Sequence, residues 1–116
     1  MKVLINNNIF KSKVCNTSKS ITKGMMNKKF DNFNCMVFVM PEKKNQKFWT
    51  YNCLIPLDIV VVNDNIIETI NSNCPQCNDK YSCKYYNGFG NIVLEFEGGT
   101  CSKLDIKVGD SINFFF

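Results

Sequence analysis

At 116 residues and 13.4 kDa the chain is one domain's worth, and 45% hydrophobic against 21% charged residues place it among globular rather than disordered sequences. It has no His, no Arg and no Ala, and all fourteen cations are Lys. That excludes imidazole acid–base chemistry, Ser-His-Asp and Cys-His nucleophiles, zinc sites that need His, and the bidentate guanidinium fork.

In chain order, Val3–Phe10 reads as a first strand. Residues 17–26 read as a short helix, with Thr17 or Ser18 as its cap and Ile21, Met25 and Met26 as its apolar face. Cys35–Met40 is a continuous apolar run of strand length that Pro41 should stop, and Lys43–Gln46 is a polar loop. Phe48–Cys53 and Leu57–Val62 read as strands on either side of Ile55-Pro56. Asn63-Asp64-Asn65 supplies turn chemistry before Ile66–Ile70, which predicts a hairpin over 57–70. Residues 71–90 read as a cysteine-bearing polar loop.

Asn91–Glu97 alternates, with Ile92, Leu94 and Phe96 on one side and Val93, Glu95 and Glu97 on the other. Gly98-Gly99-Thr100 opens a turn or one-turn helix carrying Leu104, and it lacks the Lys and Ser/Thr spacing of a phosphate loop. Val108-Gly109-Asp110 turns the chain into a last strand, Ser111–Phe116, whose three terminal aromatics cannot all face one side. Six to eight short strands with one or two small helices predict a mainly β, single-domain fold over residues 1–116, an antiparallel sandwich or barrel. Phe38, Trp49, Leu57, Ile59, Val93 and Leu94 are the expected core.

Charge is unevenly divided. Residues 1–50 hold ten Lys against Asp31 and Glu42, a net +8, whereas residues 51–116 hold four Lys against eight acids, a net −4. Two solvated faces that differ in sign explain this, and a dipolar surface for docking an acidic partner or a neighbouring copy of the chain is the functional alternative. Nucleic acid is disfavoured as a partner, because a net +4 without Arg is a weak phosphate-binding signal. No run approaches the roughly 20 apolar residues of a membrane span, and the first residues lack the apolar stretch of a signal peptide. The expectation is an intracellular soluble protein whose seven cysteines are largely reduced.

Lys47–Val60 contains Phe48-Trp49-Thr50-Tyr51-Asn52-Cys53-Leu54-Ile55-Pro56-Leu57-Asp58. It resembles the FWMKNTLIPLDII signature of the bacterial and archaeal family called domain of unknown function 192. Lys23-Gly24-Met25-Met26-Asn27-Lys28 is similar to that family's RGLMGR segment. Ile92–Phe96, Gly99-Thr100 and Leu104–Asp110 are similar to its VLELPAGTAARLGIKVGD ending. The resemblance spans about residues 14–113. It implies a compact jelly-roll-like β-sandwich with few helices and no established activity. Thr50, Tyr51 and Cys53 depart from the Met, Lys and Thr of the signature. The motif residues of interest are Trp49, Asn52, Pro56, Asp58, Gly109 and Asp110.

Two constellations invite chemistry. Cys74-Pro75-Gln76-Cys77 with Cys83 has metal or redox spacing, but no His or second pair completes it. Inert thiols, a loop disulfide and a metal or redox site all stay open. The family resemblance leans toward the disulfide, and a bridge would join Cys83 to Cys74 or Cys77 and leave Cys15, Cys35, Cys53 and Cys101 reduced. Asp58 stands ahead of an apolar strand without a second acid near it, which favours a carboxylate that accepts backbone N–H bonds over a catalytic one. Trp49 with Phe48 is read as packing rather than a ligand platform.

Seventeen Asn with many Lys, Ile and Phe point to an AT-rich genome, and a viral or phage source is the expectation drawn from that composition. The leading expectation is a non-enzymatic structural or interaction protein, a minor capsid-associated virion component with protein partners and no cofactor. The alternative is a small-ligand or thiol/metal-binding accessory protein using the Cys74, Cys77 and Cys83 loop. An enzyme using Asp58 ranks third.

Overall fold

The β-branched and alternating runs become seven strands and two short helices in the computed structural model, which describes residues 1–115. They are β1 (Lys2–Ile5), β2 (Asn8–Cys15), α1 (Ser18–Lys23), β3 (Cys35–Phe48), β4 (Leu57–Asn63), β5 (Ile66–Cys74), β6 (Tyr86–Glu97), α2 (Thr100–Lys103) and β7 (Ile112–Phe115). The strands hydrogen-bond in the single order β5-β4-β6-β3-β2-β1-β7.

Every neighbouring pair is antiparallel except β2 and β3, which run parallel. A parallel pair needs a crossover, and residues 16–34, including α1, supply it. β2 pairs with β1 along Asn8–Lys11 and with β3 along Ser12–Cys15, so the sheet turns a corner within that strand. At the far side, Ile67 N donates to Asp110 O at 2.9 Å and Ile112 N donates to Asn65 O at 2.8 Å. These bonds bring the β5 edge against the chain entering β7. The sheet is therefore curled, a half-barrel whose margins meet at one end.

The mainly β class and the two short helices agree with the sequence reading. The pairing does not confirm a jelly-roll sandwich: one curled, mixed sheet takes the place of two facing antiparallel ones. Alternation along a strand is the same in both architectures, so it could not separate them.

Both faces of the central strands are covered. Leu57–Val62 on β4 is buried throughout, which is why it reads as an unbroken apolar run. Inside the curl, Val37, Val60, Leu94 and Phe96 pack with Val3, Ile5 and Phe10. On the outer face, Met36, Phe38, Ile59, Val61 and Val93 pack beneath Met25 and Cys53.

Local departures from the sequence reading each have a cause. Val3–Phe10 is not one strand, because Asn6 adopts φ +55° and folds it into the β1–β2 hairpin. β3 continues through Pro41 to Phe48, and its ladder with β6 shifts register between Val39 and Lys44, which spares the missing N–H a partner. Phe48–Cys53 beyond β3 is a loop carrying only isolated bridges, Tyr51 to Cys77 and Met26 to Cys53. Residues 71–74 and 86–90 belong to β5 and β6 rather than to a loop. Of the expected core, Phe38, Leu57, Ile59, Val93 and Leu94 are at most 1% exposed, but Trp49 is only half-buried and is no core residue. Phe114 is half-buried, Phe115 is exposed, and Phe116 lies outside the described residues.

Candidate functional site

α1 is a short helix held by its ends. Thr17 Oγ1 accepts from Ser20 N at 3.1 Å while Ser20 Oγ accepts from Thr17 N at 3.0 Å, a reciprocal cap. Gly24 ends the helix at φ +42°, and a Cβ there would come within 3.2 Å of the Phe38 ring. Glycine thus serves both the left-handed turn and the close approach of the backbone to β3. The chain then drops Met25 into the outer core and bridges Met26 to Cys53.

Between this segment, β3 and the 49–53 loop lies a cavity of about 250 Å³. Met25, Phe38, Cys53 and Glu95 form its buried floor. Phe48, Trp49, Met26 and Met40 form half-buried walls, and Lys23 and Lys47 stand exposed at the mouth.

Glu95 is the unusual group. It sits on β6 between Met36 of β3 and Ile59 of β4, is 3% exposed, and has no hydrogen-bond partner among the described residues. Burial pushes its carboxyl up to about 8, so it is mostly a neutral acid near pH 7. In that form it offers one O–H donor and one carbonyl acceptor to whatever enters. Burial also pushes the neighbouring Cys53 thiol up to about 12. The cavity accordingly holds no thiolate nucleophile at neutral pH.

Trp49 faces the rim. Its ring stacks on Tyr85 with centroids 5.8 Å apart and planes 2° from parallel, and Tyr51 lies against it at 5.2 Å. The segment before Tyr85 is clamped by a Cys77–Cys83 disulfide. That loop is zipped onto residues 50–54: Asn52 N donates to Cys77 O at 2.9 Å and Thr50 Oγ1 donates to Pro75 O at 2.7 Å. Cys74 stands apart at the end of β5, buried, its thiol donating to Asn71 O at 3.3 Å and pushed up to about 11. Of the three loop cysteines, two are oxidised to each other. No cluster of three or more Cys, Asp or Glu able to hold a metal ion occurs among the described residues. Cys15, Cys35, Cys53, Cys74 and Cys101 are free and buried.

Asp58 lies on the opposite face of the sheet from this cavity. Its Oδ1 accepts from Asn73 N at 2.7 Å and Gly99 N at 3.1 Å, and its Oδ2 accepts from Cys101 N at 2.9 Å. Fully buried, it ties β4 to the end of β5 and the start of α2. Both of its oxygens are engaged and the side chain is closed off from solvent. Asn52 takes the left-handed conformation, φ +57°, at the loop's turn, and Pro56 O accepts from Gly98 N at 2.8 Å. Gly109 turns the chain at φ +96°. Asp110 Oδ2 accepts from Lys107 N at 2.8 Å and Asn6 Nδ2 at 3.1 Å, and these bonds hold its carboxyl below the usual range.

Of the motif residues singled out in the sequence, only Trp49 borders the cavity; Asp58, Gly109 and Asp110 fasten the fold elsewhere. Glu95 was not recognised as a site residue: alternation placed it opposite Ile92, Leu94 and Phe96 and gave it no role. The available signal was one acid inside the otherwise apolar run Ile92–Phe96. Four stretches meet at the cavity: Ile21–Met26, Phe38 and Met40 of β3, Lys47–Trp49 with Cys53, and Glu95 of β6. All but the β3 pair overlap segments that carry the family resemblance.

The model of the family DUF192, described as Uncharacterized ACR, matches residues 1–114, and the chain belongs to this family. No curated protein matches it. A crystal structure of a protein of unknown function from Novosphingobium aromaticivorans is similar over 97% of this chain and 84% of its own, with TM-score 0.85 and 28% identity. A second, described as "a putative transcription regulator" from Sinorhizobium meliloti, is similar over 97% of this chain and 89% of its own, with TM-score 0.83. At 19% identity the second likeness concerns the fold alone. Among the described residues, no helix is long and apolar enough to cross a membrane.

Proposed function

We propose that this member of the DUF192 family is a non-enzymatic binding protein that takes a small, partly apolar molecule into the cavity beneath α1. The observation that carries the reading is Glu95, buried and unpartnered at the cavity floor. A carboxyl set among apolar groups, and bonded by none of the described residues, carries a cost in free energy that water or a ligand in the cavity offsets. An apolar cleft with one convergent polar group is the common form of a small-molecule site. The non-enzymatic part of the reading rests on the surroundings of Glu95: the nearby thiol is held protonated, and Asp58 is fully engaged on the other face.

The test is titration with 1-anilinonaphthalene-8-sulfonate, an anionic aromatic probe that brightens in apolar clefts. Wild-type protein should bind it, and Thr22→Trp, which places a bulky ring at the mouth, should abolish binding without changing the circular dichroism spectrum. Unchanged binding by Thr22→Trp would place the probe elsewhere and sink the reading.

A second reading, an interaction protein within a larger assembly such as a virus particle, is favoured by exposed aromatics at the start of β6. Phe89 on that strand is 44% exposed, and Tyr85, the residue before the strand, is 56% exposed. A single monomeric species by sedimentation up to high concentration, with no partner retained from the source particle, would count against it.

A further inference from the structure

Resting on the cavity reading, we infer that the ligand is a small planar heterocycle presenting an N–H beside a C=O, as uracil does, and carrying an anionic group. Size sets the first limit. About 250 Å³ lies below the roughly 300–1,000 Å³ of typical drug-sized sites, so the enclosed part is small, one ring or one fused pair.

The floor sets the second. A neutral carboxyl group holds a donor and an acceptor side by side, so its complement is an acceptor and a donor side by side, joined through two parallel hydrogen bonds. Glu95 is central in the sheet and packed between Met36 and Ile59, which fixes where that edge is presented. A cation would also suit a carboxyl, but it would have to pass Lys23 and Lys47.

The walls and mouth complete the assignment. Phe38, Phe48 and Trp49 give aromatic surface for a planar ring, a contact every heterocycle face can use. Lys23 and Lys47 are exposed at the entrance, and neither is in an ion pair among the described residues. An anionic arm on the ring would reach them, and they act there as flexible point charges rather than as a geometric fork.

Uridine 5′-monophosphate is the probe, and Trp49, the only tryptophan in the chain, is the reporter. The expected result is saturable quenching of Trp49 fluorescence by the nucleotide. Methylating N3 of the ring removes the donor and should weaken binding by at least about tenfold, the effect of one lost hydrogen bond of ordinary strength. Glu95→Leu should weaken the nucleotide similarly, whereas Glu95→Gln, which keeps a donor and an acceptor, should stay within about threefold of wild type. The double variant Lys23→Gln, Lys47→Gln should lose affinity for the nucleotide but not for uridine. Equal binding of the N3-methyl nucleotide, or no quenching by the nucleotide while the naphthalene sulfonate probe still binds, overturns the ligand class and leaves the cavity reading standing. If neither compound binds, the cavity reading itself falls.

Discussion

Two acids are buried in this domain on neighbouring strands, and the sheet separates them. Asp58 faces the inner core, where three backbone N–H groups converge on its two oxygens. Glu95 faces the outer core, where none of the described residues bonds to it, and its carboxyl is pushed up to about 8. The first is a fastening that folding itself completes. The second is a polar group left open at the floor of a cavity. Burial alone therefore says little about a carboxyl's role; what decides is whether the fold supplies its hydrogen-bond partners.

The sharpest way to break this comparison is Asp58→Ala. It leaves three N–H groups without their acceptor and should cost roughly 4–5 kcal/mol in urea unfolding, a large share of a small domain's stability. A loss below about 1 kcal/mol would show that water replaces the carboxylate and that Asp58 is not the fastening described.

Glu95→Gln should act in the opposite direction, and only in a defined pH window. The folded carboxyl, at about 8, keeps a proton that the unfolded chain, near 4.5, has released. Wild-type stability should therefore be greatest below about pH 4.5, fall as pH rises toward 8, and level off above it. The Gln variant lacks this slope, so its advantage over wild type should grow by roughly 3–4 kcal/mol between pH 4.5 and pH 8, read from unfolding midpoints. Parallel pH profiles for the two proteins would mean that Glu95 finds a partner in solution.

Removing the disulfide with Cys77→Ser and Cys83→Ser should cost about 2 kcal/mol in the chain-entropy picture, since the loop it closes is short. The variant should also loosen the Trp49–Tyr85 stack, visible as a shift in tryptophan emission. An unchanged emission would separate the disulfide from the cavity rim.

Trp49→Ala should have the smallest effect, about 1 kcal/mol, because the ring is half-exposed and leaves no enclosed void. A cost of 3–5 kcal/mol, as for a core aromatic, would return Trp49 to the packing role read from the sequence.

Much of this molecule was legible residue by residue. The α1 cap, at Thr17 of the two candidates Thr17 and Ser18, the turn Asn63-Asp64-Asn65 and the strand over Leu57–Val62 stand where the sequence puts them, because each depends on neighbours within a few positions. The Gly98-Gly99-Thr100 turn into a one-turn helix followed the same logic. Reading failed where distant residues intervene. Pro41 was a plausible stop until a register shift on β6 accommodated it. Val93 is buried as expected, but nothing local shows that Glu95, on the same side of the strand, is covered too, by the segment from Met25 to Phe33.

The sequence by itself determined the mainly β class, the positions of most strands, the absence of imidazole and guanidinium chemistry, and the stretches that mark the family. These follow from side-chain periodicity, turn propensities and composition, all of which are local. Only the tertiary structure decided that the sheet curls as one mixed half-barrel, that β2 and β3 run parallel, and that Cys77 rather than Cys74 meets Cys83. It alone brought Lys23–Met26, Lys47–Cys53 and Glu95 around one cavity. Which groups a residue meets across the chain, and whether a carboxyl on a strand ends in water, in a nest of N–H groups or in an apolar cleft, depends on long-range packing that no window of neighbouring residues contains.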